Sequence, residues 1–258
     1  MKIGIYYNFI PEIDNRERIK LLASTGFEHT AFWLPEPIDN AKAMLPTQAR
    51  QAGMKVDNIH ADFKGASKLW QDTIEWDYVY ASYLAYMDLC ADNQIPTLIV
   101  HVTGSGIFPP LCQLGIDRVN RLLEQAERKN VTIALENLER TEYIDYIFDR
   151  VKAEKLGFCY DSGHANCWDK DKTLLKKYGN RLKALHFNDN DGKSDQHLIP
   201  GDGLIDWKSI AGQLTALKYE NPCTLEVAKS LSDKYQLLSD KEFWSLAHRR
   251  AIELFASS

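Results

Sequence analysis

Acidic residues and histidines recur at the ends of short apolar segments of this chain, and one segment ends with a pair of them. The stretch 157–161 finishes in the carboxylate of Asp161, turns through Ser162 and Gly163, and then presents His164. Carboxylate oxygens and imidazole nitrogens are the usual protein ligands of zinc and manganese. Taken alone, however, an Asp-x-x-His sequence is more often a strand followed by a polar turn.

The pattern becomes informative because six successive segments carry a histidine or a carboxylate at the equivalent place. These residues are His60, His101, Glu136, Asp161 with His164, His186 with Asp195 and His197 in the loop after it, and Glu226. We interpret the other two histidines, His29 and His248, as structural. Carboxylates that face one cavity repel each other and resist burial unless cations hold them. The sequence therefore predicts a metal centre.

The segments that carry these residues are rich in β-branched and aromatic residues, which is typical of strands. We predict strands at Ile3–Asn8, His29–Leu34, Val56–Ala61, Leu98–Val102, Thr132–Asn137, Gly157–Ser162, Leu182–Asn188 and Cys223–Val227. Helical spacing occurs between them, at Asp14–Ser24, Asp39–Ala52, Thr73–Asn93, Gly115–Lys129, Glu142–Ala153, Lys170–Tyr178, Asp206–Leu217 and Asp240–Phe255. Strict alternation favours parallel strands with right-handed crossovers. We predict an α/β fold, a single (β/α)8 TIM barrel over residues 1–258. A doubly wound sheet is the alternative, but no G-x-G-x-x-G motif follows an early strand.

The composition is that of a globular protein without a broad basic face. Hydrophobic residues make up 45% of the chain, the formal net charge is -5 and the pI is near 5.8. We therefore expect no nucleic-acid partner. We also expect no membrane association, because no segment has the ~20 continuous apolar residues of a membrane helix and Met1–Asn8 turns polar too soon for a signal peptide. The five cysteines form no C-x-x-C pair, which favours the cytoplasm.

The sequence around these positions resembles the xylose-isomerase-like TIM-barrel superfamily, which includes sugar and sugar-phosphate isomerases and epimerases and also endonuclease IV. The motifs that carry the resemblance cover essentially the whole chain. They are IHADF around His60, IVHVTG around His101, IALENL around Glu136, FCYDSGHANCW around Asp161 and His164, LKALHFNDND around His186, DQHLIPGDGLIDW around His197 and TLEV around Glu226.

The resemblance implies a set of metal ligands. Ketose 3-epimerases of the superfamily hold one divalent ion at the positions that match Glu136, Asp161, His186 and Glu226. Endonuclease IV holds three zinc ions with Glu136 bridging two of them, and its additional positions match His60, His101, His164, Asp195 and His197. We therefore expect one to three divalent ions, zinc or manganese before cobalt, iron or magnesium.

The function that the resemblance implies is a sugar or sugar-phosphate isomerase or epimerase. Such an enzyme moves a proton next to a carbonyl through a metal-stabilised enediolate. Glu136 and Glu226 are the expected proton carriers, because their strands lie well apart around the barrel. His164 is an expected substrate contact, and the loop aromatics expected to wall the substrate are Trp33, Trp70, Phe108 and Trp168. The expected partner is a small carbohydrate, and a homo-oligomer is left open.

Three other functions are compatible with the same motifs. One is an endonuclease IV-like metal-dependent phosphodiesterase, which the scattered Lys64, Lys193 and Lys229 disfavour because DNA phosphates need a cationic groove. Another is a dehydratase or hydroxyacid isomerase built on the same barrel. The third, a non-catalytic sugar-binding barrel, is disfavoured because every ligand position is filled.

Overall fold

Eight parallel strands form a closed barrel in the computed structural model, which describes residues 2–7 and 14–256. Each strand pairs with its neighbour in the chain, and β1 pairs with β8 to close the barrel. The strands are β1 Ile3–Tyr6, β2 His29–Trp33, β3 Lys55–His60, β4 Thr97–Val100, β5 Thr132–Glu136, β6 Leu156–Asp161, β7 Leu182–Phe187 and β8 Cys223–Leu225. The predicted (β/α)8 TIM barrel is confirmed. Asn8, at the end of the predicted first strand, lies outside the described residues.

Helices connect successive strands on the outside of the barrel. They are α1 Asn15–Ser24, α2 Asn40–Ala43, α3 Leu45–Gln51, α4 Glu75–Asp92, α5 Gln113–Arg128, α6 Glu142–Arg150, α7 Ser162–Trp168, α8 Leu174–Tyr178, α9 Trp207–Ala216 and α10 Asp240–Ala256. Short 3-10 helices occupy Ala66–Trp70, Gly179–Arg181, Lys229–Leu231 and Asp233–Tyr235. None of the helices in the described ranges is both long and apolar enough to cross a membrane.

One helix prediction and one turn prediction were wrong in detail. The predicted helix Asp39–Ala52 is divided at Met44 into α2 and α3. Pro46 lies in the first turn of α3, where its missing N–H breaks no helical hydrogen bond, whereas inside a continuous helix it would. The turn predicted after Asp161 is the helix α7, which carries His164. The Asp161 carboxylate caps this helix by accepting a hydrogen bond from the His164 backbone N–H at 2.6 Å.

The inward face of the barrel explains where the polar residues meet. Ile99, Ala134, Cys159 and Ala184 form a buried cluster apart from the larger core that the helices cover. Side chains on a strand alternate between its two faces, so residues two positions farther along share this inward face. Those residues are His101, Glu136, Asp161 and His186. Parallel strands therefore deliver all four to one end of the barrel.

Candidate metal centre

Glu136 lies at the centre of the polar cluster at the carboxyl end of the barrel. Its side chain is buried, with 2% of the residue exposed. The Oε2 atom lies 3.0 Å from His60 Nε2 and 3.1 Å from His101 Nε2. The Oε1 atom lies 3.2 Å from His164 Nδ1 and 3.3 Å from His186 Nδ1. One carboxylate from β5 thus faces four imidazoles from four other segments of the chain.

A second group of donors combines Glu136 with Asp161, His186 and Glu226, whose ligand atoms lie within 4.8 Å of one another. His186 Nδ1 is 3.2 Å from Glu226 Oε2 and 3.9 Å from Asp161 Oδ2. This nitrogen is buried and makes no hydrogen bond within the described residues. A buried imidazole nitrogen that lies beside carboxylates but makes no hydrogen bond lacks a partner. A divalent ion bound between the nitrogen and the carboxylates would supply one. The donor set therefore fits a metal ion.

The third group lies in the loop after β7. Asp195 Oδ2 is 3.3 Å from His164 Nε2 and 3.0 Å from His197 Nε2. The loop is positioned by Asp189, whose buried carboxylate accepts hydrogen bonds from Gly201 N at 2.8 Å and from the indole Nε1 of Trp207 at 2.8 Å. The nine residues predicted as ligands are thus brought together, in three groups that share Glu136 or His164.

Backbone carbonyls fix the tautomer of three of these histidines. Nδ1 lies 2.7 Å from the Ala61 oxygen in His60, 2.9 Å from the Asn137 oxygen in His164, and 2.7 Å from the Glu226 oxygen in His197. A carbonyl oxygen only accepts hydrogen bonds, so in each ring Nδ1 carries a proton. Nε2 is then the ring nitrogen whose lone pair can bind a metal ion on the side of the carboxylates. Histidines that bind metals are commonly oriented in this way.

The carboxylates and imidazoles of the cluster shift each other's pKa values. Burial raises the pKa of Asp161 to about 7. Burial also raises the pKa of Glu136, but the imidazoles of His186 and His101 outweigh it and hold this pKa well below its usual value. For His197, burial lowers the pKa, but the hydrogen bond with Asp195 and nearby carboxylates raise it to about 9. In the absence of a cation, imidazolium groups therefore neutralise the carboxylates.

A cavity of about 490 Å³ opens above the donor groups, a volume typical of small-molecule sites. Trp33, Phe108 and Trp168 line it as predicted, together with Phe63, whose ring stacks on Trp33 with centroids 5.6 Å apart. The remaining lining residues are His60, His101, Thr103, Gly104, Ser105, Glu136, Leu138, Glu139, His164, Asp195, His197 and Glu226. Aromatic walls over a polar floor suit the C–H faces and hydroxyls of a carbohydrate.

The structure does not bring Trp70 to this cavity. Trp70 is buried beneath the loops, where its Nε1 donates a hydrogen bond to the Val102 oxygen at 2.7 Å and its ring packs on Tyr143. The ring also lies against Gly115, where an added Cβ would overlap with it. The sequence does not distinguish a loop tryptophan that lines a cavity from one that packs against the core. In the structure, packing determines the position of Trp70.

Comparisons with known proteins agree with the fold. The profile of the xylose isomerase-like TIM barrel family matches residues 19–246. The chain belongs to this family. Inosose dehydratase of Geobacillus thermodenitrificans is 28% identical over 128 residues, which are 41% of this chain and 43% of that protein. The chain spans about half the length of the curated relatives that it matches first.

Two solved structures show the same fold over nearly the whole of both chains. D-psicose 3-epimerase from Clostridium cellulolyticum H10, described with D-tagatose, has a TM-score of 0.81 and 17% identity, covering 100% of this chain and 99% of its own. The IOLI protein, described with a bound zinc atom, has a TM-score of 0.79 and 15% identity, with coverage of 100% and 99%. At this level of identity the two comparisons establish the fold.

Tyr6 supports the site from below, and the sequence analysis did not identify it. Its fully buried hydroxyl lies 3.0 Å from His186 Nε2 and donates a hydrogen bond to Asn58 Oδ1 at 3.2 Å. Because the hydroxyl proton goes to Asn58, His186 Nε2 carries a proton and donates it to Tyr6. Nδ1 of the same ring then carries the lone pair, which faces Glu136 and Glu226 and can bind a metal ion. The only signal in the sequence is a tyrosine at the carboxyl end of an apolar first strand.

Replacing Tyr6 by phenylalanine should weaken binding of a divalent ion about 10- to 100-fold, because His186 loses the partner that fixes its tautomer. The measurement is a titration of metal-depleted protein with Co²⁺, followed by visible absorption and by calorimetry. Tyr7→Phe is the matched control, since the Tyr7 hydroxyl donates to Asn15 Oδ1 and its ring packs on Phe32. An unchanged dissociation constant in Tyr6→Phe would contradict this role.

Metal binding should strengthen as pH rises toward 9. His197, with a pKa of about 9, is protonated at neutral pH and must lose its proton to become a ligand. Asp161, with a pKa of about 7, must also be ionised, so its protonation below that pH weakens binding further. Calorimetry in buffers of different ionisation enthalpy would count the protons released on zinc binding. Binding without proton release, at pH 6 as at pH 8, is the result incompatible with these charge states.

Proposed function

We propose that this protein is a divalent-metal-dependent isomerase or epimerase that acts on a small carbohydrate. The observation that carries the proposal is the position of two carboxylates, Glu136 and Glu226, in one donor group at the floor of an aromatic-walled cavity. They come from β5 and from the end of β8, on different sides of the barrel. A carbonyl substrate held between them would have a base on one side and an acid on the other.

Glu136, Asp161, His186 and Glu226 would hold the catalytic ion, with zinc or manganese as the ions best suited to imidazole and carboxylate donors. When bound, such an ion supplies a Lewis acid that stabilises the negative charge developing on the substrate oxygen. The His186 nitrogen that makes no hydrogen bond within the described residues supports this assignment. One of the structural relatives is described with zinc, and it shares the fold of this chain.

The chain's own residues supply the proton transfer. Burial raises the pKa of Glu226, but the neighbouring His186 outweighs burial and the pKa lies below its ordinary value. Glu226 is therefore a carboxylate at neutral pH, ready to accept a proton from a substrate carbon. Its side chain is 16% exposed, against 2% for Glu136, so Glu226 is the more accessible base. We also assign to His164, whose ring centre lies 5.1 Å from that of Trp168, the role of contacting a substrate hydroxyl.

Two alternatives use the same groups differently. A dehydratase would begin with the same proton removal next to a carbonyl and then expel a hydroxyl group; the partial similarity to inosose dehydratase favours this variant. A phosphodiesterase of the endonuclease IV kind would use all three donor groups to hold three ions. The contacts of His60, His101 and Glu136 support that arrangement. The absence of Lys and Arg among the lining residues of the described cavity disfavours a DNA substrate.

The test of the proposal is exchange of solvent deuterium into a panel of ketoses by metal-loaded protein, with an abasic-DNA cleavage assay run alongside. Deuterium uptake at the carbon next to the carbonyl, without DNA cleavage, is the expected outcome. Cleavage of DNA without exchange would replace the proposal by the phosphodiesterase alternative. Loss of water from an inosose substrate, measured in the same mixtures, identifies the dehydratase.

Replacing Glu226 by glutamine should lower the exchange rate about 10²- to 10⁴-fold, which is the usual contribution of a positioned acid or base. Glu136→Gln should have an effect of the same order. Both variants should also retain less metal, because each removes a donor charge. Glu154→Gln, at an exposed carboxylate before β6, is the matched control. Full exchange activity in either site variant would refute the mechanism.

Replacing His60 and His101 together by glutamine tests how many ions are bound. We expect about one ion fewer per chain by elemental analysis, because this change removes two donors from the first group and none from the group around His186. If the metal content equals that of the unchanged protein, the chain holds no separate ion at His60 and His101.

A further inference from the structure

The cavity above the donor groups has no cationic side chain in its wall. None of its lining residues, all of which belong to the described ranges, is lysine or arginine. Residues 8–13, which lie outside those ranges, read Asn-Phe-Ile-Pro-Glu-Ile and contain no lysine or arginine. Apart from the histidines of the donor groups, the charged residues around the cavity are therefore acidic.

Two cations on segments that follow barrel strands at this end, Arg140 and Lys229, have partners outside the cavity. Arg140 donates a hydrogen bond to the Glu142 carboxylate at 2.9 Å. Its guanidinium also lies 4.9 Å from the ring centre of Phe108, which is itself one of the lining residues. Lys229, in the segment after β8, forms an ion pair with Asp240 at 3.0 Å. Neither side chain lines the cavity. A substrate anion held against the lining residues, remote from the donor groups, would therefore meet no lysine or arginine among them.

The backbone position at which TIM barrels often bind phosphate is also occupied. That position is formed by the loops after strands 7 and 8, whose free N–H groups contact the phosphate. Here Gly201 N and Ile205 N donate to the Asp189 carboxylate at 2.8 and 3.1 Å. Ala228 N, after β8, donates to the His197 oxygen at 3.0 Å. The buried carboxylate of Asp189 takes the N–H groups that a phosphate would need.

Glu139 adds a repulsive group to the wall. It follows β5, lines the cavity, and is exposed, with no hydrogen bond or ion pair to any other described residue. A carboxylate without a partner repels a phosphate or carboxylate on the substrate and does not hinder a neutral hydroxyl. Lysine and arginine are absent from this wall, but aromatic faces are present at Trp33, Phe63 and Trp168.

We propose that the substrate is a non-anionic carbohydrate, without phosphate or carboxylate at the end remote from the reacting carbonyl, and that Glu139 enforces this selectivity. The inference rests on the proposed function for the position of the carbonyl at the donor groups. It narrows the substrate class to neutral or amine-bearing sugars, whose C–H faces stack on the aromatic walls while their hydroxyls reach Thr103 and Ser105.

The selectivity is measured by the ratio of kcat/KM for solvent-deuterium exchange with D-fructose and with D-fructose 6-phosphate, or with another ketose and its phosphate if that ketose exchanges faster. We expect the neutral ketose to be favoured at least about 10-fold, which is the effect of a modest repulsive contact. Glu139→Lys should reduce the ratio by about 10-fold or more, and Glu139→Gln should reduce it less. Glu154→Lys makes the same charge change before β6, at the opposite end of the barrel, and should leave the ratio unchanged.

A binding measurement tests the same selectivity without catalytic turnover. Metal-loaded protein is titrated with D-glucitol and with D-glucitol 6-phosphate, and quenching of tryptophan fluorescence reports the dissociation constants. Tighter binding of the phosphate, or a kcat/KM ratio that favours the phosphorylated ketose, overturns the inference and leaves the proposed function intact. Preference for glucitol with no exchange into any ketose overturns the proposed function alone. If neither polyol binds and no ketose exchanges, both fail.

Discussion

The buried carboxylate of Glu136, faced by four imidazoles, is the interaction on which the rest of the site depends. A buried charge is strongly unfavourable unless it is paired, so each of these histidines must be held where it can compensate. The groups that hold the histidines in the barrel are themselves uncharged. Backbone carbonyls orient His60, His164 and His197, and the Tyr6 hydroxyl orients His186. The donor atoms are consequently arranged before any ligand arrives.

Closure of the barrel imposes a second constraint, since it brings β1 next to β8 and aims side chains from several strands at one axis. The interior beneath the site is filled by small and medium side chains at Ile99, Ala134, Cys159 and Ala184, which leave the donors at the mouth. Asp161 serves two roles there, as a donor and as the cap of α7. The same carboxylate thus places His164, and the site and the helix are built together.

The polarity of the surroundings separates the functions that this barrel can support. The donor groups alone would suit a sugar or a phosphodiester. The walls suit a phosphodiester less well, because their lining residues include no lysine or arginine and include Glu139, which has no hydrogen bond or ion pair to another described residue. Asp189 also consumes the N–H groups of the loop that carries Asp195 and His197. Family membership fixes the architecture, and these local features point to a carbohydrate substrate.

The sequence by itself determined the barrel and the identity of the polar residues at its mouth, because alternating apolar segments specify parallel strands and a strand end specifies an end of the barrel. It did not determine what depends on packing between distant segments. The hydrogen bond from His186 to Tyr6 joins residues 180 positions apart, and the burial of Trp70 depends on its fit against Gly115. The sequence showed Asp161-x-x-His164 as a strand and a turn, whereas α7 exists because Asp161 caps it once the barrel has positioned both. Contacts of this kind leave no periodic pattern, so only the tertiary structure decides them.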